Sequence, residues 1–276
     1  MATVSQPYPA PFDAVAEEYD RKFTESQIGR AQRASVWKEL AKTFRSGDRI
    51  LEIGCGTGVD ACFLANRGVR VFACDKSRAM IEVANRRITQ ADKNSFVHLQ
   101  SLAAEDLACL RVEPRFDGAF SNFGALNCVE DLRGVAINLV RLLRPGATAT
   151  LCLMGRHCAW EVAWYLAHGN PQKAFRRIDR GKIIARLASE ATVRVHYPSV
   201  NSVIRLFSPE FHLKAWKGIG ITIPPSYLES IVNRYAGCVR WMMRADSLLE
   251  NIPIARGLAD HVLLIFERAM EAGDFQ

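Results

Sequence analysis

The sequence lacks the features that mark membrane-spanning, secreted and zinc-binding proteins. It has no run of about eighteen apolar residues, and its N-terminus shows no charged, apolar and small-residue signal pattern. None of the eight cysteines belongs to a Cys-x-x-Cys pair, which argues against zinc and favours buried free thiols in a reducing compartment. Internal repeats and low-complexity stretches are also absent. We therefore expect a cytoplasmic protein without a metal site. Its 276 residues, 49% of them hydrophobic, suffice for one large α/β domain with an elaboration.

A glycine-rich turn follows an apolar segment near residue 50. Residues 49–53 read as a short strand that carries Glu52, and Gly54, Gly56 and Gly58 follow at alternate positions. Such glycines let the backbone turn sharply from strand to helix, and they let a ligand lie where a Cβ atom would collide. The spacing differs from the Gly-x-Gly-x-x-Gly of dinucleotide-binding proteins. By itself, the turn is also compatible with a plain strand-to-helix connection.

A second acidic residue lies where a nucleoside-binding unit would need it. Residues 69–75 read as an apolar strand ending in Asp75, which follows Gly58 by 17 residues. This offset is close to the one at which a βαβ unit presents a carboxylate to ribose hydroxyls. Asp75 could also cap the helix that starts near Ser77, or do both. Together, the glycine turn and Asp75 predict a nucleoside-binding site.

These two segments resemble motif I and the following strand of class I S-adenosylmethionine (SAM)-dependent methyltransferases of the small-molecule type, such as the quinone and glycine methyltransferase groups. The resemblance implies SAM as the cofactor and an α/β, Rossmann-like fold. The resemblance further implies a seven-stranded sheet that is mostly parallel and has an antiparallel last strand. It also implies N-terminal lid helices and a cap inserted after the fifth strand.

The resemblance also implies a set of cofactor contacts. Residues 102–107 are similar to the family's adenine-side loop, although Ala103 stands where the family has Asp, which leaves the backbone near Ala104 or the Glu105 carboxylate. The loop after the fourth strand, which the family places beside the methionine moiety, is not of the Asn-Pro-Pro-Tyr type used on nucleobase amino groups. The implied cofactor-binding residues are Tyr19, Glu52, Gly54, Cys55, Gly56, Gly58, Asp75, Lys76, Met80, Ala104, Glu105, Asn122 and Phe123.

Strands and helices alternate between Ser46 and about Gly155. Strands are predicted at 49–53, 70–74, 95–99, 116–121 and 147–154, with helices at about 59–67, 77–90 and 131–143. Short crossovers predict parallel, right-handed βαβ units with ligands at the carboxyl ends of the strands. Later strands are expected at 211–216 and 261–266, with a helix from Pro225 between them. We divide the chain into lid helices (1–45), SAM-binding core (46–155), substrate cap (156–207) and a part that completes the sheet (208–276).

The N-terminal segment predicts an amphipathic helix, with Phe12, Val15, Ala16 and Tyr19 on one face. It resembles the lid helix of many small-molecule methyltransferases, in which the tyrosine closes over SAM. The plainer interpretation is a packing helix with Tyr19 at its edge. Arg33, in a second helix, could face the methionine carboxylate or lie on the surface.

The segment after the fifth strand is expected to choose the substrate. Residues 156–166 read as a helix, and alternation at 192–197 and 202–207 predicts a hairpin with its turn at 198–201. Residues 170–220 hold ten Lys or Arg against three acids, an excess equal to the net charge of +7. Trp160, Tyr165 and Tyr197 are candidate substrate contacts, and core packing is the favoured interpretation for one of the two helix tryptophans, Trp160 and Trp164.

Methyl transfer from SAM needs no protein nucleophile, but it sometimes needs a base. His157 and His196 are the candidate catalytic residues because both lie near the cap, although either could be a surface or packing residue. The leading function is methyl transfer to O, N or C of a small or lipid-like acceptor, and the basic cap suits an anionic acceptor or peripheral contact with a membrane. One alternative is an RNA-directed methyltransferase or RNA-binding protein that uses residues 170–220, although no RNA-binding module is recognisable. Another is a SAM-binding protein without activity.

Overall fold

The computed structural model describes residues 10–178, 183–188, 191–234 and 236–270. Its strands are β1 (Arg49–Ile53), β2 (Arg70–Asp75), β3 (Val97–Ser101), β4 (Phe116–Ser121), β5 (Leu143–Met154), β6 (Ile183–Arg186), β7 (Thr192–Val195), β8 (Phe211–Ile219) and β9 (His261–Arg268). A seven-stranded sheet has the order β3-β2-β1-β4-β5-β9-β8, and β6 and β7 form a separate antiparallel pair.

The sheet confirms the predicted Rossmann-like architecture. β1 to β5 are parallel neighbours, whereas β9 lies antiparallel between β5 and β8. The bounds of β1 and β4 are those predicted, and β5 begins earlier than expected, at Leu143. Because β9 runs against β5, its first residue pairs with Met154 at the end of β5. The start of β9 therefore lies at the same sheet edge as the carboxyl ends of the parallel strands.

The helices are α1 (Ala16–Tyr19), α2 (Gln27–Thr43), α3 (Val59–Ala65), α4 (Arg78–Gln90), α5 (Leu132–Leu142), α6 (Ala159–Ala167), α7 (Pro171–Ala174), α8 (Val200–Phe207), α9 (Glu229–Arg234), α10 (Val239–Leu249) and α11 (Pro253–Arg256). Several begin at side-chain caps: Ser77 accepts from the Met80 N–H and Asp131 from the Gly134 N–H.

Two apolar clusters cover the sheet. One contains Leu139 of α5, Phe207 of α8 and Phe266 of β9, and the other contains Leu40 of α2 and Leu64 of α3. Strands buried on both faces are typical of parallel sheets with helices on each side. This packing fixes the strand ends that carry the site.

The N-terminal segment is helical, as predicted, but in three short forms. A 3₁₀ turn (Pro11–Val15) leads into α1, and a π-helical turn (Asp20–Thr24) follows.

Within the described residues, no helix is both long and apolar enough to cross a membrane.

The predicted hairpin in the cap is wrong in its second strand. Residues 200–207 form α8, because Ser199 caps the helix and the apolar residues Val203 and Phe207 lie four apart on its buried face. β7 pairs with β6 instead, in the register Ile183 to Val195. The charged residues Arg180, Lys182, Asp179 and Glu190 of the basic segment lie outside the described residues.

Candidate active site

A cavity of about 510 Å³ lies at the carboxyl edge of the sheet. Its lining includes the ends of β1, β2, β4 and β5 on one side, and residues of β6, β7 and the 3₁₀ turn Ser226–Leu228 on the other. The volume falls within the range of small-molecule sites, about 300–1,000 Å³. The cavity is large enough for more than a nucleoside, and it joins the glycine turn to the cap.

The three glycines of the turn have different roles. Gly54, Gly56 and Gly58 all have positive φ, at +73°, +53° and +73°. A Cβ at Gly54 would approach Ala125 Cβ to 2.3 Å, and one at Gly58 would approach Ala84 Cβ to 2.9 Å. A Cβ at Gly56 would have nothing within 4 Å, and Gly56 borders the cavity. Gly54 and Gly58 therefore allow close packing, while Gly56 keeps space open for a ligand.

Asp75 ties the glycine turn to the start of α4. Its Oδ2 accepts from the Gly56 N–H at 2.9 Å, and its Oδ1 accepts from the Ser77 N–H at 2.8 Å. The α4 cap is Ser77, so capping alone does not explain Asp75. Burial raises the pKa of Asp75 above its ordinary value, and the two N–H donors offset only part of that effect.

Asp60 is a buried hub behind the cavity. It accepts from Arg33 Nη1 at 2.6 Å, from Trp37 Nε1 at 2.6 Å and from Asn122 Nδ2 at 2.9 Å. Arg33 is therefore buried and paired and does not lie on the surface; its guanidinium carbon lies 4.7 Å from the ring centroid of Phe123. This network fixes the loop after β4.

Glu52 is a buried carboxyl with a free oxygen. It is 1% exposed, and Oε2 has no hydrogen-bond partner among the described residues. Burial, with a smaller contribution from Asp60, raises its pKa well above the ordinary value. The open face of Gly56 and the Asp75 carboxylate, which both border the cavity, fit a ligand that carries ribose hydroxyls, and the Glu52 carboxyl lies below them in β1.

The lid segment is fastened to the core through two aspartates. Asp13 accepts from Ser77 Oγ at 2.5 Å, and Asp20 accepts from Thr57 Oγ1 at 2.7 Å and from Arg87. Tyr19 borders the cavity, and burial raises its pKa to about 12. Its ring neighbours Phe23 at 5.8 Å, and Phe23 meets Phe123 edge-on at 5.0 Å.

Two consecutive arginines organise the cap side. Arg176 donates twice to Glu161, at 2.8 and 2.9 Å, and borders the cavity. Arg177 donates to Glu161 and to Asp260 Oδ1 at 2.8 Å, and its Nη1 binds the carbonyl groups of Gly155 and Asp260. It therefore holds α6, the end of β5 and the start of β9 together.

The structure gathers most of the predicted site residues around the cavity. The predicted residues that line it are Tyr19, Gly54, Gly56, Asp75, Lys76, Met80, Ala104, Glu105, Asn122, Phe123 and Tyr197. Cys55 and Gly58 lie within the turn behind it, and Glu52 lies below it in β1.

The other four predicted residues lie outside the cavity lining. His157 is exposed, and the backbone N–H and C=O of His196 both bond to Asn127. Trp160 Nε1 donates to the Thr222 carbonyl, and the ring of Tyr165 lies 6.1 Å from that of Tyr227.

Sequence reasoning missed the cavity residues contributed by the cap and the last strand. Arg176, Tyr227, Asp260 and His261 all border the cavity. For His261 a signal existed, because it opens a strand predicted to run antiparallel to its neighbours. In such a strand, the first residue, and not the last, lies at the ligand edge.

The sheet order is the one expected for class I SAM-dependent methyltransferases, and the comparisons with known proteins point to the same class. Residues 50–146 match the family described as methyltransferase domain. The CcbJ methyltransferase from Streptomyces caelestis has a similar fold, with a TM-score of 0.62 at 14% identity over 95% of this chain and 98% of that one.

Two curated relatives are similar over the core. A demethylmenaquinone methyltransferase of Clavibacter sepedonicus is 36% identical over 143 residues, which cover 52% of this chain and 56% of that protein. A tRNA 5-carboxymethoxyuridine methyltransferase of Escherichia coli (strain K12) is 30% identical over 153 residues, which cover 53% of this chain and 57% of that protein. The chain thus spans little more than half the length of these relatives.

Proposed function

We propose that this protein transfers a methyl group from SAM to an O, N or C atom of a small, largely apolar acceptor. The observation that carries the proposal is the continuity of the cavity from the glycine turn to the cap. A protein that only binds SAM would need the first half, whereas the second half provides room for another molecule. The likeness to a demethylmenaquinone methyltransferase supports an acceptor of this general kind.

The cofactor half of the cavity is assigned to Gly56, Asp75, Glu105, Asn122 and Tyr19. Asp75 keeps lone pairs for ribose hydroxyls after accepting two N–H groups, and Gly56 leaves the space. Glu52 offers a buried acceptor for an amino group below them. When bound, SAM supplies a methyl group on a positively charged sulfur, already activated for transfer. The protein's own task is to orient the acceptor and exclude water.

The cap half is assigned to acceptor binding. The inner face of the β6–β7 pair contributes Ala185, Val193 and Val195, and Tyr197 and Tyr227 add aromatic walls. These side chains favour an apolar ring or chain. We also propose the division of the chain into lid helices (1–45), SAM-binding core (46–155), substrate cap (156–207) and a part that completes the sheet (208–276). The second half of the proposed cap contains β6, β7 and α8.

Peripheral membrane contact and a cytoplasmic location belong to the same proposal. The outer face of the β6–β7 pair carries Ile184, 66% exposed, opposite Arg194 and next but one to Arg186. Exposed apolar and basic side chains together suit a membrane surface that holds a lipid-like acceptor. The free state of all eight cysteines supports a reducing compartment.

RNA methylation is the second candidate, because one relative acts on tRNA. The contacts of the basic segment weigh against it. Arg177 is buried, Arg176 is paired with Glu161, and Lys217 is held between Glu39 and Glu250. These cations are committed within the protein and are not available to phosphates.

Calorimetry with S-adenosylhomocysteine, using Asp75→Asn and the matched charge removal Asp106→Asn, tests the cofactor half. We expect the Asp75 variant to bind roughly tenfold more weakly or worse, because charge-assisted hydrogen bonds are lost, and the Asp106 variant to bind as the wild type does. Equal affinity of the two variants would remove Asp75 from the site.

Transfer of labelled methyl from SAM is then measured on a reduced naphthoquinone and on unmodified tRNA. Label in the quinone supports the proposal. Label in tRNA alone favours the second candidate, and cofactor binding with no transfer to either acceptor or to a panel of phenols and amines favours a SAM-binding protein without activity.

A further inference from the structure

His261 is the histidine that borders the cavity within the described residues. It is 7% exposed and opens β9, where it pairs with Met154 of β5 and Ile219 of β8. Strands on both sides thus fix its backbone at the ligand edge. Its ring stands at 88° to that of Phe123, with centroids 5.5 Å apart. The imidazole is therefore held beside the loop that follows β4, at the border between the two halves of the cavity.

Asp260 is placed to orient this ring. His261 Nδ1 lies 3.3 Å from Asp260 Oδ2, outside hydrogen-bond geometry, and Nδ1 has no other partner among the described residues. Asp260 is itself held by Arg177 at 2.8 Å and by Gln32 at 3.2 Å. A small rotation of the ring would complete a carboxylate–imidazole pair, which is how many enzymes hold a base in one tautomer.

The two tyrosines and the aspartate on the cap side of the cavity are poorly suited to take a proton. Burial raises the pKa of Tyr197 and of Tyr227, so both phenols stay protonated at neutral pH. Burial opposes the charge on Asp260, but His261 and Arg177 outweigh it and lower its pKa below the ordinary value. Asp260 is therefore a fixed anion that supports a neighbouring cation and does not itself take up a proton.

The charges on the cap side also select the acceptor. Glu161 and Asp260 are both paired with arginines, so neither of these two described carboxylates is open to an ammonium group. Arg176 borders the cavity, and its positive charge there disfavours a cationic acceptor. If a proton moves from a neutral acceptor to neutral His261, the total charge of the cavity does not change, which avoids the cost of burying a lone charge.

We propose that His261 is the catalytic base of the reaction, that Asp260 and Arg177 position it, and that the acceptor is an apolar weak acid, a phenol or an enol. This inference rests on the proposed function. The acceptor O–H bond breaks and its proton passes to the imidazole nitrogen that faces away from Asp260. The electron pair of the oxyanion, directly or through the conjugated carbon, forms the bond to the methyl carbon while the S–CH₃ pair stays on sulfur.

The probe is p-nitrophenol, whose phenolate absorbs visible light, added to the protein saturated with S-adenosylhomocysteine. His261→Asn removes the base and keeps the size, and His157→Asn is the matched control on an exposed histidine. Both variants keep the charged and titratable groups near the imidazole, which are Asp260, Arg176, Arg177, Tyr197, Tyr227, the arginine partner Glu161, and Arg33 over the ring of Phe123.

We expect wild type and His157→Asn to bind the probe as phenolate below the pH at which the free probe ionises, and His261→Asn to bind it as the neutral phenol. Transfer to a phenol should fall by about 10²–10⁴ in His261→Asn. Asp260→Asn should reduce the phenolate fraction without abolishing it, as a positioning residue should.

Each result decides between the two proposals. Unchanged affinity for S-adenosylhomocysteine shows that His261→Asn is folded, and His261→Gln serves in its place if it is not. Equal phenolate absorbance in wild type and both His261 variants, or no probe binding at all to a complex that holds S-adenosylhomocysteine, overturns the inference and leaves the proposed function intact. A wild type that binds no S-adenosylhomocysteine overturns the proposed function itself.

Discussion

Glu52 is a buried residue whose carboxyl is expected to cost stability in the ligand-free protein. Its carboxyl is buried, one oxygen has no partner, and its pKa is raised well above the ordinary value. An unpaired buried polar group costs stability, and proteins tend to keep such groups where a ligand will use them. The same position in an ordinary strand core would favour an apolar side chain.

We expect Glu52→Gln to stabilise the ligand-free protein at neutral pH and to weaken SAM binding. In the unfolded chain the carboxyl loses its proton near its ordinary pKa of about 4.3, whereas the folded state still holds it. The stability of the wild type therefore falls as pH rises from that value towards the raised pKa, and the glutamine variant lacks this loss.

Thermal unfolding at acidic and neutral pH, with SAM calorimetry alongside, measures both effects. Glu105→Gln, at the exposed rim, is the control and should show no such pH-dependent gain. A glutamine variant less stable than the wild type at neutral pH would contradict the burial argument.

At the scale of elements, the lid and the cap are joined to the sheet in different ways. The lid is held by hydrogen bonds that Asp13 and Asp20 accept from Ser77 and Thr57, and by a chain of ring contacts from Tyr19 through Phe23 to Phe123. The cap is held by the buried arginine Arg177. Short helices with few buried residues open more readily than elements fixed by buried charge networks.

We expect hydrogen exchange in residues 10–24 to slow when S-adenosylhomocysteine binds, because a ligand under Tyr19 adds contacts that the segment lacks on its own. Asp20→Asn should speed exchange there in the free protein by weakening the link to Thr57. Protection of the glycine turn without any change in residues 10–24 would mean that Tyr19 has a structural role only.

Arg177→Met should destabilise the fold by about 3–5 kcal/mol, because Glu161 and Asp260 would keep buried charges without their partner. Arg176→Met is the comparison, since Arg176 is 35% exposed and its loss leaves Glu161 paired with Arg177. Denaturant unfolding should therefore separate the two variants clearly. Similar decreases in the free energy of unfolding would show that Arg177 contributes no more than Arg176 to holding the cap on the sheet.

At the scale of the whole molecule, the net charge of +7 says less about partners than it first suggests. Lys214 is paired with Glu267, and Lys217 with Glu39 and Glu250. With Arg176 and Arg177, four of the ten basic residues in 170–220 are thus paired with carboxylates inside the fold.

We expect the protein to bind unmodified tRNA at low salt and to release it near physiological salt. Weak binding through a small number of phosphate contacts gives a shallow dependence of log K on log[salt], with a slope of about −0.9 per contact. Fluorescence anisotropy over a salt series measures it. Tight binding that persists at physiological salt, and that is lost in Arg186→Gln and Arg194→Gln, would favour RNA methylation over transfer to a small acceptor.

The core could be predicted well because its signals are local. A few adjacent residues specify the turn from β1 to α3, and a few others specify the strand that ends in Asp75. Their backbone conformation depends mainly on glycine and apolar content. The cap was predicted less well. Residues 202–207 alternate as a strand would, yet they also place Val203 and Phe207 at a helical spacing, and only the packing of α8 against the core selects the helix.

The sequence by itself determined the class of fold and the order of most sheet elements, together with the glycine turn and the strand end at Asp75 that border the cavity. These features depend on short-range backbone preferences. Only the tertiary structure decided which residues meet across the cavity. Asp260 and His261 reach it because β9 reverses direction between β5 and β8, and Arg177 reaches Asp260 across 83 positions of sequence. Contacts between such distant residues arise from packing and buried charge pairing, which no local pattern of residues records.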